Sequence, residues 1–68
     1  MSKYRNKLLS EIESTVAAKL FNIQHGTATE REIWIVKQCS SFISLLNHSA
    51  LTPKEIYRLW ERSGLVYQ

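Results

Sequence analysis

The 68-residue chain contains no aspartate, and it has only one cysteine, one proline and two glycines. A single cysteine, Cys39, excludes an internal disulfide, so a domain this small depends on its apolar core or on association with another chain. The two histidines, His25 and His48, are neither close to each other nor at a recognisable ligand spacing from Cys39. The sequence therefore predicts no metal site.

Motifs of catalysis and of membrane insertion are also missing. The chain has no glycine-rich phosphate loop, HExxH motif, paired-cysteine motif or nucleophile elbow. We therefore predict that the protein is not an enzyme and has no cofactor and no small-molecule substrate. No apolar run approaches the roughly 20 residues of a membrane span, and charges interrupt the first segment where a signal peptide needs an apolar region. These features predict a cytoplasmic protein without membrane contact.

The segment 29–47 has the most apolar helical pattern in the chain. At about 100° per residue, one sector of this helix is apolar. Its members are Ile35, Val36, Cys39, Phe42, Ile43 and Leu46. Thr29 and Glu32 have the spacing of a capping box, which predicts the start of the helix. We expect this helix to be the central one, packed between two others.

Two further segments have helical patterns. The first is predicted at about residues 3–21, with an apolar stripe made of Leu8, Leu9, Ile12, Val16 and Leu20. The second is predicted at residues 53–63, with Thr52 and Glu55 as a capping box and Gly64 as the terminating residue. Its inward side should hold Ile56, Leu59 and Trp60. The fold class is therefore all-α: a single small domain, residues 1–68, of three helices, which dimerisation would complete.

A second apolar stripe lies on the flank of the central helix. It consists of Trp34, Gln38, Ser41 and Leu45, at positions i, i+4, i+7 and i+11. Large aromatic side chains outside the core sector are typical anchors of protein interfaces. We therefore predict a small regulatory or interaction protein that docks on a larger protein or forms a homodimer. The alternative is that tertiary packing buries Trp34 and Leu45.

A different function follows from the net charge of +3. Basic residues occur in the third helix and in the N-terminal segment, which is predicted to be a short basic arm or a frayed first turn: Lys54, Arg58, Arg62, Lys3, Arg5 and Lys7. They predict, as the second hypothesis, a small DNA-binding transcriptional regulator that contacts phosphates with these side chains and bases with Tyr57 or Gln68. The segment 51–66 is similar to the first half of a helix-turn-helix, but too few residues follow its turn to form a recognition helix. An ordinary solvated basic face is the alternative.

Overall fold

The computed structural model describes residues 3–67, and this part of the chain is all-α. The helices are Lys3–Gln24 (α1), Glu30–His48 (α2) and Pro53–Ser63 (α3), followed by a short 3-10 helix at Leu65–Tyr67. The predicted fold class and the three predicted helices are confirmed. The main difference is at the end of α1, which continues three residues beyond its predicted end at residue 21.

The starts of α2 and α3 are fixed by capping boxes of the predicted kind. The Thr29 hydroxyl accepts from the Glu32 backbone N–H at 3.2 Å, and the Glu32 carboxylate accepts from the Thr29 N–H at 3.1 Å. Thr52 and Glu55 make the same two bonds, each at 3.3 Å. At the end of α3, Gly64 has φ 69°, in the left-handed region that glycine adopts without steric cost.

The three helices and the 3-10 helix share one core. Its buried members are Leu8, Ile12, Ile35, Cys39, Ile56, Tyr57, Trp60 and Leu65. α1 packs against α2, α3 and the 3-10 helix, and α1 and α3 are in direct contact. The expectation that α2 lies between the other two is therefore wrong, because all three helices meet around a common core.

Three predicted inward positions are incorrect. Leu20 is 43% exposed, and Ile43 and Leu59 are each 37% exposed. The polar residues Lys19 and Tyr57, by contrast, are buried. Both buried side chains have apolar bodies that pack well while their polar ends find partners. The spacing of apolar residues alone therefore predicts the core-facing sides of α1 and α3 with a small rotational error about the helix axis.

α3 is too short to cover the whole bundle. Its 11 residues span about 16 Å, whereas the 19 residues of α2 span about 28 Å. Because α3 follows α2 after a short connection, it lies beside the second half of α2. The first half of α2 and the last turns of α1 extend past it. Within residues 3–67, no helix combines the length and the apolar character needed to cross a membrane.

Candidate functional site

Three helices around one core leave a groove on the outer surface between each pair. Contacts between side chains show which side of each helix faces which neighbouring helix. Arg5 Nη2 donates to Asn47 Oδ1 at 3.2 Å, which joins the start of α1 to the end of α2. The rings of Phe42 and Trp60 meet edge to face at 5.3 Å, which joins α2 to α3. We call the three surfaces the α1–α2 groove, the α2–α3 groove and the α1–α3 groove.

The predicted docking stripe forms the α2 side of the α2–α3 groove. Phe42 faces Trp60 on α3, and at helical spacing the stripe lies next to Phe42 on the outer side. The stripe residues are Trp34, Gln38, Ser41 and Leu45. Leu59 occupies the corresponding outer position on α3. The structure therefore brings the predicted residues together on one side of one groove.

Exposure varies along this stripe. Trp34 is 49% exposed, and it lies beyond the level at which α3 ends. Gln38 is half-buried and Ser41 is exposed. Leu45 is half-buried and packs partly against the core, so it belongs less to the free surface than the sequence pattern indicates. Trp34 is consequently the main apolar side chain that the groove offers to a partner.

A shallow hollow adjoins the same stretch of α2. It measures about 330 Å³ and is lined by Ser41, Ser44, Leu45, His48 and Ser49. Its lining combines one aliphatic side chain with hydroxyl groups and an imidazole. Such a surface provides hydrogen-bonding groups beside the apolar anchor, as protein interfaces commonly do.

The α1–α3 groove contains cations and aromatic rings in alternation. Lys7 Nζ lies 5.2 Å from the centre of the Tyr57 ring, and Lys54 Nζ lies 6.0 Å from the centre of the Tyr4 ring. The two tyrosine rings are 5.8 Å apart. Lysines from two different helices are therefore held on one surface by cation–π contacts.

The carboxylate of Glu11 lies next to these lysines and tyrosines, on the side toward the core. Glu11 accepts hydrogen bonds from the Tyr57 hydroxyl at 2.5 Å and from Trp60 Nε1 at 3.4 Å. The bond to Glu11, together with burial, raises the pKa of Tyr57 above its ordinary value. A hydrogen bond with Tyr57 raises the pKa of Lys7. Both groups therefore keep their protons in neutral solution, and Lys7 stays cationic.

The structure distributes the remaining predicted nucleic-acid residues unevenly. Lys3, Arg5 and Lys7 lie in the first turns of α1 and do not form an extended arm, because α1 begins at Lys3. Arg5 points toward α2, where it donates to Asn47. Arg58 and Arg62 are exposed on the outer side of α3, on both sides of a hollow that Glu61 also lines.

Tyr57 and Gln68 are the two residues that were predicted to contact bases. Tyr57 is only 5% exposed, and its hydroxyl donates to Glu11. It is therefore unsuitable for contacting a base, since its polar end is already bonded inside the protein. Gln68 lies outside the described residues.

The α1–α2 groove was not identified from the sequence. It is lined by aliphatic side chains that are half-buried or exposed: Leu9, Val16, Leu20, Ile33, Val36 and Ile43. Most of these residues were predicted to lie in the core. The surplus of apolar surface on α1 and α2 was therefore not recognised. The available signal was that both helices carry more apolar residues than one side of a helix can bury.

No group of three or more His, Cys, Asp or Glu side chains in residues 3–67 is arranged to hold a metal ion. Comparisons with protein-family models, with curated proteins and with solved structures found no match to this chain.

Proposed function

We propose that the protein is a small, non-enzymatic interaction protein that regulates or links other proteins by docking through its α2–α3 groove. Trp34 is the anchor of this docking surface, and Gln38, Ser41 and Leu45 complete it. The observation that carries the proposal is the half-exposed indole of Trp34 at the point where α3 ends. Large aromatic side chains in such positions contribute most of the binding energy in many interfaces.

The shape of the groove favours a helical segment as the bound element. The antiparallel helices α2 and α3 form its sides next to Leu45, and α2 alone continues to Trp34 beyond the end of α3. Small or neutral side chains lie between Trp34 and Leu45. A helix from a partner fits such a groove by inserting apolar residues one or two turns apart. Trp34 and Leu45 are 11 residues apart, which is about 16 Å along α2. A partner helix of three or four turns therefore suffices to contact both.

The proposal also includes the cellular compartment in which the protein acts. We propose a cytoplasmic, reducing environment, in which a lone thiol remains reduced. Burial raises the pKa of Cys39, and its side chain is only 1% exposed. Both features keep it as an unreactive thiol.

Trp34→Ala, compared with Phe21→Ala, tests the docking proposal. Both are exposed aromatic residues, but Phe21 is more exposed, at 67%, and lies on α1 away from the α2–α3 groove. The tagged wild-type chain and both variants are used to purify partners from an extract, and the recovery of each co-purifying protein is measured. We expect Trp34→Ala to reduce recovery of the specific partner at least tenfold, because a loss of roughly 1.4 kcal/mol has that effect. Phe21→Ala should leave recovery unchanged.

Two results would contradict the proposal. Equal recovery with all three proteins would show that the groove is not used. Greater loss with Phe21→Ala would show that capture reflects general adhesion of exposed aromatic groups. Circular dichroism of Trp34→Ala should show unchanged helix content, since a loss of helix would place Trp34 among the structural residues.

The alternation of lysine and tyrosine in the α1–α3 groove favours one second function, binding of a nucleic-acid backbone. Lys7 and Lys54 are presented together, and Lys3 and Arg58 lie at neighbouring positions of the same two helices. Phosphate contacts of this kind make affinity fall as salt rises, by a slope of about 0.9 per neutralised phosphate.

Binding to duplex DNA over a salt series tests this second function. Lys54→Gln should weaken binding and reduce the salt slope by about one contact. Arg31→Gln removes the same charge from the start of α2, far from the α1–α3 groove, and should have no such effect. Absence of any complex at low salt would rule out this function.

A further inference from the structure

We infer that the α1–α2 groove is a self-association surface, and that a second copy of this chain covers it. The inference does not rest on the proposed function, because Trp34 and the α2–α3 groove lie on another side of the bundle. It rests on the aliphatic residues that the fold leaves along the outer edge of α1 and α2: Leu9, Val16, Leu20, Ile33, Val36 and Ile43.

Two hydrogen bonds fix the register of α1 against α2. Asn22 Nδ2 donates to Glu32 Oε2 at 3.1 Å near one end, and Arg5 donates to Asn47 at 3.2 Å near the other. In this antiparallel register the aliphatic residues stand in pairs at matching heights. The pairs are Leu9 with Ile43, Val16 with Val36, and Leu20 with Ile33.

These side chains are not fully used inside the subunit. Val16 packs partly against the buried core. Leu20, Ile33 and Ile43 are 43%, 41% and 37% exposed. A continuous strip of exposed aliphatic groups on two neighbouring helices is costly in water, at about 25 cal/mol for each Å² that association would remove. The strip therefore favours a partner that is itself apolar and helical.

A second copy meets this requirement because the strip is complementary to itself. If one copy is rotated by 180° about an axis parallel to the helices, α1 of each copy faces α2 of the other in antiparallel orientation. The exposed carboxylate Glu13 lies on the α1 edge of the strip, and the exposed ammonium Lys37 lies toward its α2 edge, within about one turn in height. The rotation places Glu13 of each copy beside Lys37 of the other. Opposite charges around an apolar centre fix orientation and select the partner.

The dimensions of the molecule suit such a dimer. The bundle measures 37 × 20 × 17 Å, so its long sides have projected areas of about 630 to 740 Å², somewhat below the roughly 800 Å² per partner of a standard interface. The dimer therefore needs most of this side, with the aliphatic strip at its centre and the Glu13 and Lys37 contacts at its rim.

Ile43→Lys and Leu59→Lys form a matched pair for testing the inference. Both residues are 37% exposed, but Leu59 lies on α3, outside the α1–α2 groove. The molar mass of each protein is measured by light scattering after size exclusion, and by sedimentation, at concentrations up to about 1 mM. The wild type and Leu59→Lys should approach twice the 7.9 kDa of one chain, whereas Ile43→Lys should remain at 7.9 kDa.

Charge exchange tests the predicted orientation. Glu13→Lys and Lys37→Glu should each weaken the dimer, because each places like charges together. The double variant should restore it to within about threefold of the wild-type dissociation constant. If Ile43→Lys fails to fold by circular dichroism, Leu20→Lys serves in its place.

Three results would overturn the inference. One is a monomeric wild type at every concentration. Another is a dimer that survives both Ile43→Lys and Leu20→Lys. The third is a dimer lost in Trp34→Ala but retained in Ile43→Lys, which would assign self-association to the α2–α3 groove. A dimeric Trp34→Ala that has lost its extract partner would support this inference and the proposed function separately.

Discussion

Glu11 joins α1 to α3 through a single carboxylate. It is half-buried and accepts from both Tyr57 and Trp60. Hydrogen bonds to an ionised acceptor are stronger than those between neutral groups. This residue therefore determines how α3 sits on α1, and with it the shape of the α1–α3 and α2–α3 grooves.

Glu11→Ala should destabilise the protein by about 1–3 kcal/mol, because it leaves the Tyr57 hydroxyl and the Trp60 N–H without their acceptor in a partly buried place. Glu13→Ala, an exposed neighbour on α1, should change the free energy of unfolding by less than about 0.5 kcal/mol. Urea unfolding measured at low protein concentration checks both, since it separates subunit stability from dimer formation. Equal effects of the two substitutions would mean that the Glu11 contacts do not stabilise the fold.

Tyr57 should make stability fall in alkaline solution. Its pKa is raised above 10.0 in the folded state, first by the bond to Glu11 and then by burial. The stabilisation is therefore fully present below pH 10, and it is lost as the pH rises through the raised pKa. The free energy of unfolding should decline as the pH rises above 10.0 in the wild type and less steeply in Tyr57→Phe. Parallel declines in the two proteins would contradict this assignment.

Helix ends are the features that the sequence predicts best. Thr29, Thr52 and Gly64 act through bonds within a few residues, so their roles are readable from local spacing alone. Gly26, with φ 70°, closes the turn that follows α1, although the predicted end of α1 was three residues short. Local chemistry thus fixes element boundaries where capping residues are present.

The orientation of each helix was harder to predict. Tyr57 and Lys19 are buried because neighbouring helices supply their surroundings, and no local pattern records which neighbour that is. For the same reason, the sequence placed Trp34, Gln38, Ser41 and Leu45 on one side of α2 but did not predict how deeply Leu45 is buried. The α1–α2 groove was missed because Leu9 and Leu20 resemble core residues in the sequence.

Thr52→Ala should cost about 1 kcal/mol of stability, because it removes the hydroxyl that caps α3. Thr52→Ser keeps a hydroxyl and should stay within a few tenths of a kcal/mol of the wild type. Thermal and urea unfolding followed by circular dichroism measure the difference. If the serine variant is destabilised as much as the alanine variant, the contribution of Thr52 comes from its methyl group and not from capping.

At the scale of the molecule, three grooves of different chemistry surround one small core. The α1–α2 groove is aliphatic, the α2–α3 groove has a half-exposed tryptophan, and the α1–α3 groove carries lysines and tyrosines. A 68-residue chain buries a limited share of its surface, so coverage of an apolar groove adds directly to its stability.

The thermal midpoint should therefore rise with protein concentration in the wild type, since dimer formation stabilises the folded state by mass action. The same series on Ile43→Lys should give a constant midpoint. Calorimetry over a hundredfold range of concentration measures both. A constant midpoint in the wild type would contradict stabilisation by self-association.

Site-specific photo-crosslinking in cells tests the docking claim most directly. A photoreactive residue at position 41, in place of Ser41, lies in the α2–α3 groove. Position 17, occupied by Ala17, is also exposed, but it lies on the side of α1 opposite the core. We predict a discrete adduct with another protein from position 41 that Trp34→Ala abolishes, and no adduct with that protein from position 17. The same adduct from both positions, or no adduct from position 41, would contradict docking through this groove.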